Sequence, residues 1–187
     1  MATLTKDKVV KNAKAYFSRG EKYGFMNEEL QNFLGTDFIA APASTREDLH
    51  NCHEGGLIEH LLLVTKYAVG INELLPEDQQ VDINSLIKVC CLHQIGKAHL
   101  YKPHTSDWHR GKGILYEFNE DLVSMRVGER SAYYATNYGI ELSEEEYQAI
   151  VNHDKTDDDK QAKWHSNMLG VILRQANELA IMHEKNN

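Results

Sequence analysis

Histidine has the clearest chemical potential in this sequence, because it occurs ten times in 187 residues and exchanges protons or binds metal ions near neutral pH. Helical spacing places some of these rings on apolar faces: His60 lies three residues after Leu57 and four before Val64. Four polar residues on four predicted helices share this inward position: His60, His93, His153 and Asn177. A single inward histidine is more often a core residue with one hydrogen bond. Four such side chains together predict a metal or ligand site inside a helical bundle.

The elements that position these side chains are predicted to be helices along most of the chain. Asn27 and the capping box of Ser143 with Glu146 mark helix starts, whereas Gly20 and Gly35 mark helix ends. The predicted helices cover residues 5–18, 27–35, 56–75, 82–96, 124–138, 143–153 and 166–183.

The pattern of elements predicts an all-α fold with a single domain. Residues 1–45 are expected to form an N-terminal helical extension packed on the same domain, and residues 46–187 form the main helical domain. The stretch 101–119 contains a proline and two glycines, so it predicts one irregular loop or hairpin. The acidic run at 154–160, DKTDDDK, lacks the glycine and terminal glutamate of a calcium-binding loop and predicts a solvated turn.

Charge and cysteine usage exclude several classes of protein. Twenty Lys and Arg against 28 Asp and Glu give a net charge of −8, which argues against a general nucleic-acid coat. No apolar run approaches the ~20 residues of a membrane helix, and residues 1–20 lack the pattern of a secretory signal. The three cysteines, Cys52, Cys90 and Cys91, are an odd number with two adjacent, which favours a reduced, cytoplasmic protein.

Several segments, taken in order, resemble the HD superfamily of metal-dependent phosphohydrolases. The first motif is matched at 50–60 by HNCHEGGLIEH, and the second at 91–98 by CLHQIGKA. Weaker matches follow at 128–131 (GERS), 149–153 (AIVNH) and 173–180 (LRQANELA). The resemblance covers residues 50–182 and implies an HD-type helical bundle that hydrolyses a phosphate ester, most plausibly of a nucleotide.

The residues that match the family's metal ligands depart from its pattern of His, His-Asp and Asp. His60 and His93 match the histidines, but Gln94 and Asn177 stand where the family has aspartates, and His153 matches a further histidine. The ligand set that the resemblance implies is therefore His60, His93, Gln94, His153 and Asn177. Three other carboxylates are candidates to replace the lost charge: Glu54, Glu129 and Asp154.

The cofactor that the resemblance implies is a divalent metal ion, namely Zn, Ni, Fe, Mn or Co. Imidazole ligands suit Zn²⁺, Ni²⁺ and Fe²⁺, whereas the loss of both carboxylates weighs most against hard ions such as Mn²⁺. The alternative, that no metal binds because both aspartates are amides, stays open.

The phosphate-binding residues are predicted from the resemblance and from local charge. Lys97 follows the second motif and Arg130 lies in GERS; with Gln94 they are the catalytic candidates. Residues 97–112 carry four Lys and Arg against one Asp, a local charge of +3 that could attract an anion or simply be solvated. The substrate-binding candidates are His50, Lys97, Lys102, Arg110, Lys112 and Arg130.

Three functions remain open at this stage. The first is an atypical hydrolase of a nucleotide or related phosphate ester, and the second is a catalytically degenerate relative that binds a nucleotide or a partner protein without turnover. The third is a purely structural interaction module. A homo-oligomer is compatible with all three.

Overall fold

The structure is a computed structural model that describes residues 4–154 and 166–186, so most of the predicted acidic turn lies outside it. The predicted all-α class is confirmed, with one small two-stranded sheet in the described part of the chain. The helices are Lys6–Lys22 (α1), Glu28–Ala40 (α2), Gly56–Glu73 (α3), Ile83–Leu92 (α4), Asp107–Arg110 (α5), Val127–Asn137 (α6), Glu144–Asn152 (α7) and Met168–Lys185 (α8). Short 3₁₀ turns occupy Glu77–Gln79 and Ile95–Lys97, and the strands are Tyr101–Pro103 (β1) and Tyr116–Phe118 (β2).

Side-chain caps explain why many helices begin where they do. The predicted caps of α2 and α7 are confirmed: Asn27 accepts from the backbone N–H of Leu30, and Ser143 forms the reciprocal capping box with Glu146. Asp82 caps α4 in the same way. Each such cap stabilises a helix by about 1 kcal/mol, because it satisfies a backbone donor that the helix itself cannot.

Helix α3 is the centre of the core. Its apolar stripe is fully buried at Leu57, Leu61, Val64 and Ala68, and the helix packs against α1, α2, α4 and α8. The N-terminal helices belong to the same core, because the Tyr16 ring of α1 lies among aromatic rings of neighbouring segments and its hydroxyl donates to the backbone oxygen of Cys91 at 2.9 Å. Helices α6 and α7 close the bundle by packing on each other and, through α7, on α8.

Gly20 and Gly35 are both predicted to end a helix, but only Gly35 interrupts one. The predicted end of α1 at Gly20 is wrong, because the helix continues to Lys22. A Cβ at Gly20 would lie only 2.5 Å from the Cβ of Met26, so this glycine serves close packing of the following turn. Gly35 does interrupt α2, with a φ of 53° inside the helix.

The predicted hairpin is present and is attached to the loop that precedes α3. Strands β1 and β2 pair antiparallel, with Tyr101 opposite Phe118. After the short helix α5, Gly113 accepts from the backbone N–H of Glu47, and Leu115 donates to the backbone oxygen of Thr45. The hairpin therefore holds residues 45–47, just before His50.

None of the described helices combines the length and the apolar composition that crossing a membrane needs. All three cysteines are free thiols in buried positions.

Candidate metal centre

The four inward polar residues predicted from helical spacing are all buried. His60 lies on α3, His93 follows the last residue of α4, His153 follows the last residue of α7, and Asn177 lies on α8. The amide oxygen of Asn177 is 2.9 Å from His60 Nε2 and 3.4 Å from His93 Nε2. The rings of His93 and His153 have centroids 4.7 Å apart. Side chains from four helices thus form one polar cluster in the core.

Two of these rings have a fixed tautomer. Nδ1 of His93 donates to the backbone oxygen of Cys90, and Nδ1 of His153 donates to that of Ile150, both at 2.8 Å. A carbonyl oxygen only accepts, so the proton of each neutral ring lies on Nδ1 and the lone pair on Nε2. Burial lowers the pKa of both rings, which keeps those lone pairs free. A backbone carbonyl on the opposite nitrogen is typical of metal-binding histidines.

The third ring, His60, is held between two α8 side chains. Its Nδ1 lies 2.9 Å from Glu184 Oε2, and its Nε2 faces the Asn177 oxygen. Burial lowers the pKa of His60 to about 3, helped by the positive charge of Lys97, so the ring is neutral. Burial raises the pKa of Glu184 to about 8, helped by the negative charge of Glu59. In the metal-free protein at neutral pH, the Glu184 carboxyl therefore donates to Nδ1 and the imidazole Nε2–H donates to Asn177.

His50 joins the cluster from the loop before α3. Its ring centroid lies 4.8 Å from that of His60, its Nε2 is buried without a hydrogen-bond partner, and burial lowers its pKa to about 2. Next to it, Asn51 donates to Glu184 Oε1 at 2.9 Å. Among the described residues, one set of three His, Cys, Asp or Glu side chains brings its ligand atoms within 4.8 Å of one another, and it consists of His50, His60 and Glu184. This set could hold a metal ion.

Glu184 was missed by the sequence reasoning. It lies seven residues, or two turns, after Asn177 on the same buried face of α8, and that spacing is the signal that could have found it. Of the three proposed replacement carboxylates, Glu129 accepts from the backbone N–H of Arg126 at the start of α6, and Glu54 is exposed. Asp154 is exposed as well, but it directly follows His153 and its negative charge acts on the pKa of His153 and Lys97.

Lys97 and Gln94 pair with each other beside the cluster. The buried Lys97 ammonium donates to Gln94 Oε1 at 2.8 Å and to the backbone oxygen of Ala43 at 2.7 Å. Burial lowers the pKa of Lys97 to about 8, so the group is mostly charged at neutral pH. The amide nitrogen of Gln94 points toward the Asn177 oxygen at 3.5 Å. A positive charge therefore lies next to one of the residues predicted to bind metal.

The remaining predicted substrate-binding residues make contacts outside the histidine cluster. Arg130 on α6 is buried, donates to the backbone oxygen of Val123, and keeps its Nε without a partner. The other three candidates are basic side chains of the hairpin region. Lys102 pairs with Asp121, Arg110 pairs with Asp107, and the Lys112 ammonium lies over the ring of Trp108. These contacts are local to the hairpin region and do not reach the histidine cluster.

Comparison with known proteins adds no relative: no protein-family model matches the chain, and no curated protein or solved structure does so. Buried neutral imidazoles, one buried carboxyl group and nearby Lys and Arg side chains can bind a divalent ion, accept a proton and neutralise an anion.

Proposed function

We propose that this protein is an atypical metal-dependent phosphohydrolase that acts on a nucleotide or a related phosphate ester, with a divalent metal ion bound at His60. The observation that carries the proposal is the set of three buried, neutral histidines on three helices, each with Nδ1 held by an oxygen atom. Structural core histidines need one hydrogen bond, whereas here the Nε2 atoms of His93 and His153 also keep an unprotonated lone pair within the same buried cluster.

The donor set fits a borderline metal ion. The ligands that the family resemblance implies are His60, His93, Gln94, His153 and Asn177; these side chains are all neutral and favour Zn²⁺, Ni²⁺, Fe²⁺ or Co²⁺ over the harder Mn²⁺. A bound ion would polarise a phosphoryl oxygen and lower the pKa of a water molecule.

The protein's own side chains supply the rest of the chemistry. His93 and His153 can act as proton acceptors where they do not coordinate the ion: each Nε2 lone pair can then accept the proton of an attacking water, because Nδ1 already carries one. Lys97 has a third N–H beyond its two bonds, and Arg130 has a free Nε, so both can hold the charge that develops on phosphate.

The test is metal analysis of freshly purified protein, followed by hydrolysis assays on a nucleotide panel with Mn²⁺, Co²⁺, Ni²⁺ or Zn²⁺. We expect turnover that falls by at least ~100-fold in His93→Ala, in line with the loss of a proton acceptor. His99→Ala is the matched control, because this ring contacts Phe33 and Asp37 outside the cluster. Protein that carries no metal and hydrolyses no member of the panel would refute the proposal.

A second candidate function is supported by one specific contact. The Lys97 ammonium bonded to Gln94 occupies the side of the cluster where the family keeps a carboxylate, which favours a degenerate relative that binds a nucleotide or a partner without turnover. That function predicts thermal stabilisation by a nucleotide with no product formed. Turnover that disappears in His93→Ala would exclude it.

A further inference from the structure

We infer that the metal ion of this protein binds on the Nδ1 side of His60, between His50, His60 and Glu184, and not on the Nε2 side where the family resemblance places it. The inference rests on the proposed function for the chemistry that the ion would serve. Its position can nevertheless be tested by binding alone.

Charge distinguishes the two sides of the His60 ring. On the Nε2 side, the groups at the family's aspartate positions are the amides of Gln94 and Asn177, and the Lys97 ammonium is bonded to the first of them. On the Nδ1 side lies Glu184, a buried carboxyl group whose proton a metal ion would displace to solvent, leaving a negatively charged ligand. The Lys97 charge acts on His50 and Glu184 as well, so it does not distinguish the two sides. A divalent ion is favoured on the Nδ1 side because that side has a carboxyl group, whereas amide dipoles stand at the two family aspartate positions on the other side.

The donor atoms on the Nδ1 side are close to the spacing of metal ligands. Two ligands of a tetrahedral zinc ion lie roughly 3.3 Å apart when each bond is ~2.0–2.1 Å. Nδ1 of His60 and Oε2 of Glu184 are 2.9 Å apart, and all three ligand atoms of the set lie within 4.8 Å of one another. His50 lies in the turn before α3, and its Nε2 has no hydrogen bond that metal binding would have to break.

The surrounding hydrogen bonds orient the same three ligands. Asn51 donates to the second oxygen of Glu184, which directs the first oxygen toward His60. A neutral imidazole has one lone pair, so an ion on Nδ1 requires the proton on Nε2. The Asn177 oxygen 2.9 Å from Nε2 accepts that proton's hydrogen bond. Asn177 thus becomes a positioning residue for His60, as the outer partners of metal-binding histidines generally are.

Three protein ligands would leave a tetrahedral ion with one position for an outside ligand. His50 is half-buried, whereas His60 and Glu184 are buried, so the loop is the more accessible side of this set. A two-histidine, one-glutamate set that leaves a fourth position free is a known composition of catalytic zinc sites. A phosphate oxygen or a water molecule is the class of ligand that would fill it.

Zinc binding to four single variants of the full chain tests the position. Zn²⁺ affinity and stoichiometry are measured by calorimetry in wild type, His50→Ala, Glu184→Gln, His93→Ala and His153→Ala, with circular dichroism to verify the fold. We expect one Zn²⁺ per wild-type chain, at least ~10-fold weaker binding in His50→Ala and Glu184→Gln, and less than ~3-fold change in the other two. His50→Ala keeps the test valid if Glu184→Gln fails to fold, because His50 lies on a half-buried loop.

Each other result has a distinct meaning. Strong loss in His93→Ala and His153→Ala, with His50→Ala unaffected, overturns the inference and leaves the proposed metal-dependent function standing. Wild-type protein that binds no Zn²⁺ overturns the inference as well. The expected binding pattern without hydrolysis of any substrate supports the inferred position and removes the proposed function.

Discussion

Restoring the two missing carboxylates should create a site for a hard metal ion on the Nε2 side of His60. The perturbation is the double variant Gln94→Asp, Asn177→Asp, which replaces two neutral amides by charged groups of similar or smaller size. The oxygen of residue 177 is already 2.9 Å from His60 Nε2 and 3.4 Å from His93 Nε2, so an ion bound there would touch all three side chains.

The magnitude follows from the charges involved. A divalent ion and one carboxylate ~4 Å apart attract each other by about 8 kcal/mol at an effective dielectric constant of ~20. Removing both groups from water costs several kcal/mol per ion, and the Lys97 ammonium beside residue 94 offsets part of the new charge. We take the net gain as about 3 kcal/mol, which is roughly a hundredfold in affinity.

The assay is Mn²⁺ binding at pH 7.5, measured by electron paramagnetic resonance of the free ion. The matched control is Asn72→Asp, which makes the same chemical change at a buried amide that bonds Val81 and lies outside the cluster. We expect Mn²⁺ affinity roughly a hundredfold above that of wild type in the double variant and equal to that of wild type in the control. A folded double variant whose Mn²⁺ affinity equals that of wild type would refute the placement of residues 94 and 177 around a common point.

The remaining predictions concern the fold that holds the cluster. Gly56→Ala should lower the free energy of unfolding in urea by about 2 kcal/mol, because the new Cβ would lie 2.2 Å from the backbone oxygen of Asn51. Gly70→Ala in the same helix is the control: its Cβ would meet open space, so it should raise the free energy of unfolding by ~0.5–1 kcal/mol. Equal effects of the two variants would contradict the prediction. Tyr16→Phe should cost about 1–2 kcal/mol through loss of its buried hydrogen bond, and a change below ~0.3 kcal/mol would show that the bond contributes little. Burial raises the pKa of the Cys91 thiol from 9.0 to about 11. The stabilisation of the folded protein by the neutral thiol is therefore fully present below pH 9, and the free energy of unfolding falls by about 1.4 kcal/mol per pH unit between pH 9 and 11. Cys91→Ala should flatten the dependence of this free energy on pH, measured by urea unfolding, and an unchanged slope would contradict the prediction.

Helical periodicity was sufficient to find the histidines that meet in the core. His60 and Asn177 repeat with apolar neighbours at intervals of three, four and seven residues, and such intervals fix which face of a helix is buried before any partner helix is known. Local caps such as Ser143 with Glu146 fixed the helix starts for a similar reason, since their hydrogen bonds span only three residues.

Long-range contacts were not predictable in the same way. Glu184 bonds to His60 across 124 positions of the chain. The spacing of Glu184 from Asn177 could indicate a buried side chain on α8, but it does not identify His60 as the partner. The partner of Lys97 was missed for a similar reason, because Ala43 lies 54 residues away and offers a backbone oxygen that any residue type could supply. The family resemblance implies ligands at Gln94 and Asn177 and none at Glu184, which lies two turns after Asn177 on α8.

The position of a metal ion at His60 can be observed directly. Anomalous diffraction at the zinc edge, from crystals of the full chain grown with Zn²⁺, would locate the ion relative to both nitrogens of the ring. We predict one anomalous peak ~2.0–2.2 Å from His60 Nδ1, with His50 Nε2 and a Glu184 oxygen at similar distances. A peak beside His60 Nε2 and the Asn177 oxygen, or no peak at this cluster, would contradict the account.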